Sequence, residues 1–374
     1  MKAIFVHDRD DLEAQTAGGV QRCSREFLAI VRAASTETAL FPIERSRAAS
    51  LRLRRKFHLG SYLSYQPEDY AERLRVVLRD TAATHVFLNR SELLRFAPVI
   101  RTLAPQVCVV VMSHGNQSGD DLYEIAGPQG RRTGLSRLGA TWQLGLDLVA
   151  ESWHRHRSID GVCAMSVEEA ALERWLGAPR TVILPRLIQP DFLEHRPIPS
   201  RVGYVGTLDH TPNRVALEEV CRAFARKGGK VDFRLVGAPQ AVGEEFARRH
   251  PFVTYLGPLP EAELRSEAAS WAVFLNPILW LARGASMKLA QALAWGLPVV
   301  TTQSGSRGYE WQNGDLVITP DDAPAFVDAV TELLENPARL ITAREASLAA
   351  ARSSPPVAAL AARLAVFVPA AGSH

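Results

Sequence analysis

Short, unbroken apolar runs alternate with longer stretches of helical spacing along almost the whole chain. The first half has such runs at 3–6, 85–89, 107–112 and 161–166. The second half has them at 202–206, 233–237, 253–257, 272–276 and 297–302. An unbroken run, unlike an alternating one, fits a strand covered on both faces. Between the runs, Tyr70, Leu74, Val77 and Leu78 fall on one helix face, as do Leu217, Val220, Cys221 and Phe224. Strand then helix, repeated, predicts an α/β protein built on doubly wound parallel sheets. The segment HRPIPS at 195–200 holds two prolines and precedes a fresh strand. It marks the expected boundary between a first Rossmann-like domain, 1–195, and a second, 196–354. A helix-like stretch within 355–374 could pack back on the first domain.

Composition narrows the class. At 374 residues the chain exceeds one ordinary core, which favours two domains. With 47% hydrophobic and 22% charged residues it is neither disordered nor fibrous. A net charge of +3 is too mild to point to nucleic acid. Cys23, Cys108, Cys163 and Cys221 form no C-x-x-C pair, so buried free thiols are expected rather than a metal site or a disulfide framework. The opening MKAIFVHDRDD reaches acidic residues too early for a signal peptide. The most apolar stretch, 271–282, is too short to span a bilayer and contains Asn276 and Pro277. A cytoplasmic protein is expected, with any membrane contact peripheral, at the inner face of the plasma membrane.

A parallel sheet presents ligands at the carboxyl ends of its strands, so the loops after the runs are where chemistry belongs. The first ends in Gly18-Gly19 directly before a helix, where backbone amides can meet an anion. It is no dinucleotide fingerprint, because G-x-G-x-x-G is absent, and that absence argues against a nicotinamide dehydrogenase. His114 follows the run at 107–112 and opens a polar loop with Asn116, Gln117, Ser118, Asp120 and Asp121. Such a histidine can orient a sugar hydroxyl or a reacting group. After 202–206, the turn at Gly206-Thr207 leads to a helix opening at Pro212, with Thr211 as its cap and Asn213 and Arg214 close behind. The densest segment is 276–308. A turn with Arg283 and Gly284 opens a helix at about Ser286, and Lys288 stands in the first helical turn. The helix dipole already makes that end positive, so a lysine there implies an anion. Ser304-Gly305-Ser306 sits at the carboxyl end of the next strand, again facing the expected cleft.

These segments resemble the retaining GT-B glycosyltransferases of family 4, glycosyl transferases group 1. VGYVGTLDHTPN, GASMKLAQALAWGLPVVTT and QSGSRGYEWQNGDLVI carry the likeness in the second half, Gly18-Gly19 and His114 in the first. The resemblance implies two Rossmann-like domains facing a cleft and transfer of a hexose from a nucleotide-diphosphate sugar. It implies Lys288 neutralising the diphosphate, the amides near Gly206, Ser304 and Gly305 helping to hold phosphate or sugar, and His114 at the reacting sugar. The acceptor would be a glycan, a lipid-linked molecule or a small molecule, in surface polysaccharide or glycoconjugate synthesis. Neither metal nor other cofactor is expected. Many members carry Glu-x7-Glu in this helix region; here the first position is Arg283 and the second Gln291. Gln291 can still hydrogen-bond ribose hydroxyls, without charge assistance. This substitution keeps open a second class: a GT-B relative that binds nucleotide or glycan without turnover. Finally, Arg45, Arg47, Arg52, Arg54, Arg55 and Lys56 form a basic run free of acidic residues, interleaved with Leu51, Leu53 and Phe57. Contact with an anionic membrane is the expectation for it.

Overall fold

The computed structural model describes residues 1–13, 18–127, 133–228, 230–280, 283–310 and 316–368. It divides into two compact units, 1–186 with 355–374, and 187–354.

The first unit runs β1 (Lys2–Asp8), α1 (Arg9–Glu13), α2 (Gly19–Ala34), β2 (Glu37–Ile43), α3 (Ala49–Lys56), α4 (Ala71–Thr81), β3 (His85–Asn89), α5 (Phe96–Leu103), β4 (Cys108–Met112), α6 (Gln117–Ala126), α7 (Gly134–Ser158), β5 (Gly161–Ala164), α8 (Val167–Trp175) and β6 (Thr181–Ile183). Its six strands are parallel, in the order β2-β1-β3-β4-β5-β6. The second unit runs β7 (Ile198–Val205), α9 (Thr211–Lys227), β8 (Asp232–Val236), α10 (Gln240–Arg249), β9 (Val253–Gly257), α11 (Glu261–Ala268), β10 (Trp271–Asn276), α12 (Met287–Ala294), β11 (Val299–Thr302), β12 (Val317–Thr319), α13 (Ala323–Glu335) and α14 (Pro337–Arg352). Its strands are also parallel, in the order β12-β11-β10-β7-β8-β9. The last helix, α15 (Val357–Phe367), packs on α2 and β6 of the first unit and buries Leu360, Leu364 and Phe367.

Three strands lie outside the apolar runs picked out in the sequence: β2, β6 and β12. Each lies at the edge of its sheet. An edge strand is covered on fewer sides, and these three are half-exposed along much of their length. The unit boundary also falls earlier than the proline-rich segment indicates. Residues 187–195 belong to the second unit: the Asp191 and Leu193 amides donate to the Ala294 and Trp295 carbonyls at 2.8 and 3.0 Å. HRPIPS is the start of β7, with Ile198 to Ser200 already in the strand. All four cysteines are free and buried, and burial pushes the Cys23 and Cys108 thiols up to about 12.

Candidate functional site

In the second unit the ends of β7, β10 and β11 carry a polar cluster that includes several of the sequence candidates. Lys288, half-buried in the first turn of α12, donates from Nζ to Asn213 Oδ1 at 2.8 Å. Asn213 in turn donates to the Thr207 carbonyl at 2.8 Å. Gly206 lies against the lysine stem: a Cβ there would sit 3.2 Å from Lys288 Cδ and 3.1 Å from the Tyr204 hydroxyl. The Lys288 ammonium stands 5.6 Å from the centre of the Tyr204 ring. Burial pulls its pKa down to about 8. Tyr204 is wholly buried, and its hydroxyl has no hydrogen-bond partner among the described residues. Among the described residues Lys288 has no acidic partner, a lack that an anionic ligand would fill.

The turn ahead of α12 is built around Asn276, the fully buried last residue of β10. Its Oδ1 accepts from Ser286 Oγ at 2.7 Å, and its Nδ2 donates to Thr301 Oγ1 at 2.8 Å and the Gly305 carbonyl at 3.1 Å. Ser286 is the N-cap of α12, taking the Leu289 amide. Tyr309 closes the same turn, its hydroxyl donating to the Ser286 carbonyl and accepting from the Ala290 amide. Arg283 and Gly284 precede this turn, with Gly284 at φ +72°, and Gln291 lies half-buried one turn beyond Lys288.

Two expectations are corrected here. The Ser304 amide and hydroxyl donate to Asp321 at 2.8 and 2.6 Å, and the Gly305 amide donates to Thr302 Oγ1 at 3.1 Å. These amides are spent on fixing their own turn. Gly305 is required for close approach, since a Cβ would meet Thr301 Oγ1 at 2.6 Å. Thr211 is not a cap: α9 begins with it, after an extended His210. Residues 281–282 and 311–315 of the candidate segments lie outside the described residues.

In the first unit His114 follows β4 and is 9% exposed. Its Nε2 lies 3.0 Å from Asn89 Oδ1, at the end of β3, and its ring meets Phe27 edge-on at 5.3 Å. Asn89 Nδ2 donates to Asp11 at 3.0 Å and Ser24 at 2.9 Å, which leaves Oδ1 as the acceptor and assigns a proton to His114 Nε2. The loop's other polar residues have a different use. Asn116 and Ser118 are buried; Asn116 accepts from Arg155, and Ser118 donates to Glu151 Oε2 at 2.6 Å, both partners on α7. Ser113 reaches Glu173 of α8, which also pairs with Arg155. The loop bearing His114 is thus locked from beneath by a buried ionic network.

Beside it stands a set that the sequence reading passed over. Arg90, at φ +97°, donates to the Tyr65 hydroxyl at 2.6 Å and reaches Asp11 at 3.3 Å. Tyr65 donates to Asp8 at 2.5 Å. Burial raises Asp11 to about 6. A non-glycine residue held at positive φ beside buried charges is a strained arrangement of the sort found at functional sites. The rule that selected His114, polar residues at strand carboxyl ends, also selects Asp8, the last residue of β1, and Asn89-Arg90 at the end of β3. Gly18 and Gly19 are exposed at the start of α2, with the Gly18 amide held by Gln21 Oε1 at 3.1 Å; residues 14–17 ahead of them lie outside the described residues. A cavity of about 650 Å³ opens at the ends of β1 and β2. Arg45, Arg47, Arg52 and Arg55 of the basic run line it, together with Asp8, Asp10 and Glu44. Arg54 instead caps its own turn on the Leu59 carbonyl.

Residues 199–336 match the family model of glycosyl transferases group 1. The second unit is a glycosyl transferases group 1 domain. Solved structures agree over the full length in fold. Sucrose-phosphate synthase from Thermosynechococcus elongatus is 18% identical, covering 97% of each chain, with a TM-score of 0.66. HepE from Anabaena, in complex with UDP and glucose, is 15% identical over 98% of each chain, also at 0.66. The lipopolysaccharide outer core galactosyltransferase WaaB is 14% identical over 98% of this chain and 99% of its own, at 0.59. No curated protein matches the chain in sequence. The two parallel sheets give the chain the GT-B architecture of glycosyltransferases. Within its group 1 domain Asn276 is the keystone of the α12 turn. Asn276→Ala is expected to lower the melting temperature by several degrees, because it removes three bonds at once: the donor to Thr301 Oγ1, the donor to the Gly305 carbonyl and the acceptor of the Ser286 hydroxyl. A melt within a degree of wild type would show that the turn holds itself without it.

Proposed function

We propose that this chain is a hexosyltransferase that takes its sugar from a nucleotide-diphosphate donor, with retention of configuration. The observation that carries the reading is Lys288 in the first turn of α12, without an acidic partner among the described residues, with Gly206, Asn213 and Tyr204 around it. When the glycosidic bond breaks, charge builds on the departing diphosphate, and a fixed cation lowers the energy of that state. Lys288, aided by Arg283, fills this role without a metal. Gln291 would hold a ribose hydroxyl. The first unit would receive the acceptor, a glycan, a lipid-linked molecule or a small molecule, with His114 and the Asp8–Arg90 set aligning its hydroxyls and the arginine-lined cavity taking an anionic group on it. Surface polysaccharide or glycoconjugate synthesis is the corresponding biological setting.

A thermal-shift screen across UDP, GDP, ADP and dTDP sugars tests this, followed by donor hydrolysis and transfer assays. UDP sugars come first, since HepE is seen with UDP and glucose. Stabilisation by one nucleotide together with sugar release supports the enzyme. Stabilisation without any turnover would favour a binding protein of the same fold, a reading that Gln291 and Arg283 keep in play. Gln291→Glu is expected to retain or strengthen nucleotide binding, as a carboxylate accepts two hydroxyl bonds. A folded Q291E variant that binds no nucleotide would mean that the pocket requires the neutral amide.

A further inference from the structure

Helix α7 is amphipathic in the inverted sense. Its charged residues Asp147, Glu151 and Arg155 are buried, Glu151 and Arg155 in the network beneath the His114 loop and Asp147 against Gln143. Its apolar residues face outward: Leu135 is 86% exposed, Trp142 63%, Val149 68% and Trp153 55%. With Leu138 they recur at spacings of three, four and seven, so they form one stripe along the helix, roughly 27 Å from first to last. Exposed apolar stripes of this length mark surfaces that meet something other than water.

The charge around the stripe identifies the occupant. Asp147 and Glu151 are the helix's two acidic residues, and both are inside, so its exposed charge comes from Arg137 and Arg157. Arg157 lies over the Trp153 ring at 3.7 Å, extending the aromatic into a cationic rim. The face continues into α3 and the turn after it: Gln143 donates to the Gly60 carbonyl at 3.2 Å, which brings exposed Phe57 and Leu59 alongside. From Arg45 to Gln66 there is no acidic residue. A second copy of the chain would set one cationic rim against another. A bilayer with anionic headgroups matches both features, taking the apolar stripe at the acyl boundary and the arginines at the phosphates.

We infer that the first unit docks on an anionic membrane with α7 lying in the interface, its stripe Leu135–Leu138–Trp142–Val149–Trp153 facing the lipid and α3 extending the contact. Among the described residues no helix is long and apolar enough to cross a membrane, so the contact is with one leaflet. The inference stands apart from the transferase reading, since it uses neither Lys288 nor His114.

Flotation of the full chain with vesicles tests it. Vesicles of phosphatidylcholine plus phosphatidylglycerol should bind the wild type at low salt, with a blue shift of tryptophan emission, and release it as salt rises. Vesicles of phosphatidylcholine alone should bind it at least about tenfold more weakly. The triple variant Leu135→Ser, Leu138→Ser, Trp142→Ser changes only exposed positions and should melt as the wild type does while losing vesicle binding by about tenfold or more. Arg137→Ser with Lys56→Ser should weaken binding mainly at low salt. A wild type that ignores both kinds of vesicle, or a triple variant that binds as well as wild type, overturns the inference. So does a concentration-dependent dimer, seen by light scattering and broken by the same three substitutions, in a chain that does not float. Nucleotide thermal shifts run in parallel separate this outcome from that of the transferase reading.

Discussion

Lys288→Met should weaken binding of the donor nucleotide by roughly a hundredfold while making the free protein more stable at neutral pH. Both effects come from one cause. Burial lowers the Lys288 pKa to about 8, below its value in an unfolded chain. At any pH below about 8 the folded protein therefore carries a charge it holds at a cost, and a neutral side chain of similar length removes that cost. The methionine stem keeps the contact with Gly206 and Tyr204, so packing is conserved. What disappears is the cation facing the diphosphate. In the wild type, affinity should fall as pH rises through about 8, where the free protein loses the proton. In the methionine variant that pH dependence should vanish. Calorimetric titration with the nucleotide at two pH values, beside melting curves, measures all three. Unchanged affinity at pH 7 would remove Lys288 from the donor site, and a lowered melting temperature would show that its ammonium supports the fold.

His114→Ala should lower turnover by a factor on the order of a hundred, with nucleotide affinity nearly unchanged. The imidazole is held from several sides. Asn89 accepts its Nε2 proton, Phe27 packs edge-on, and the loop carrying it is tied to Arg155 and Glu151 below. A group so positioned contributes through orientation, which costs nothing at the moment of reaction. Asn89→Ala should give a smaller loss of turnover, because the histidine stays but its orientation and proton position relax. Initial rates with saturating donor, together with nucleotide titrations, separate the effects. Wild-type turnover in His114→Ala would make the residue a packing element of the loop. Joint loss of nucleotide binding and turnover would tie His114 to the donor and not to the acceptor.

The central strands were legible because an apolar run reports cover on both faces, and β1, β3, β4, β7, β10 and β11 have that cover. The α12 turn was legible for a similar reason. Ser286 caps one short helix, Lys288 stands in its first turn and Gly296 follows its end, and at such offsets local chemistry decides the geometry. The partner of Lys288 was another matter. Asn213 stands among the donor-site candidates of the sequence, but it lies 75 residues away and nothing local pairs it with the lysine.

What the chain by itself determined, then, is the alternation that makes two parallel sheets and the cation at the start of α12. Tertiary structure decided where polar residues end up. The loop after β4 reads as a run of ligand-binding side chains, yet Asn116 and Ser118 serve as buried partners for α7. The amides of Ser304 and Gly305 read as phosphate donors, yet Asp321 and Thr302 take them. Helix α7 reads as an ordinary mixture of polar and apolar residues, and only the fold turns its charges inward. The physical reason is common to all three. Burying a charge or an amide is tolerated only where a partner meets it, and for Asn116, Ser118 and Ser304 that partner arrives from 17 to 39 residues away, through a fold that local spacing does not encode.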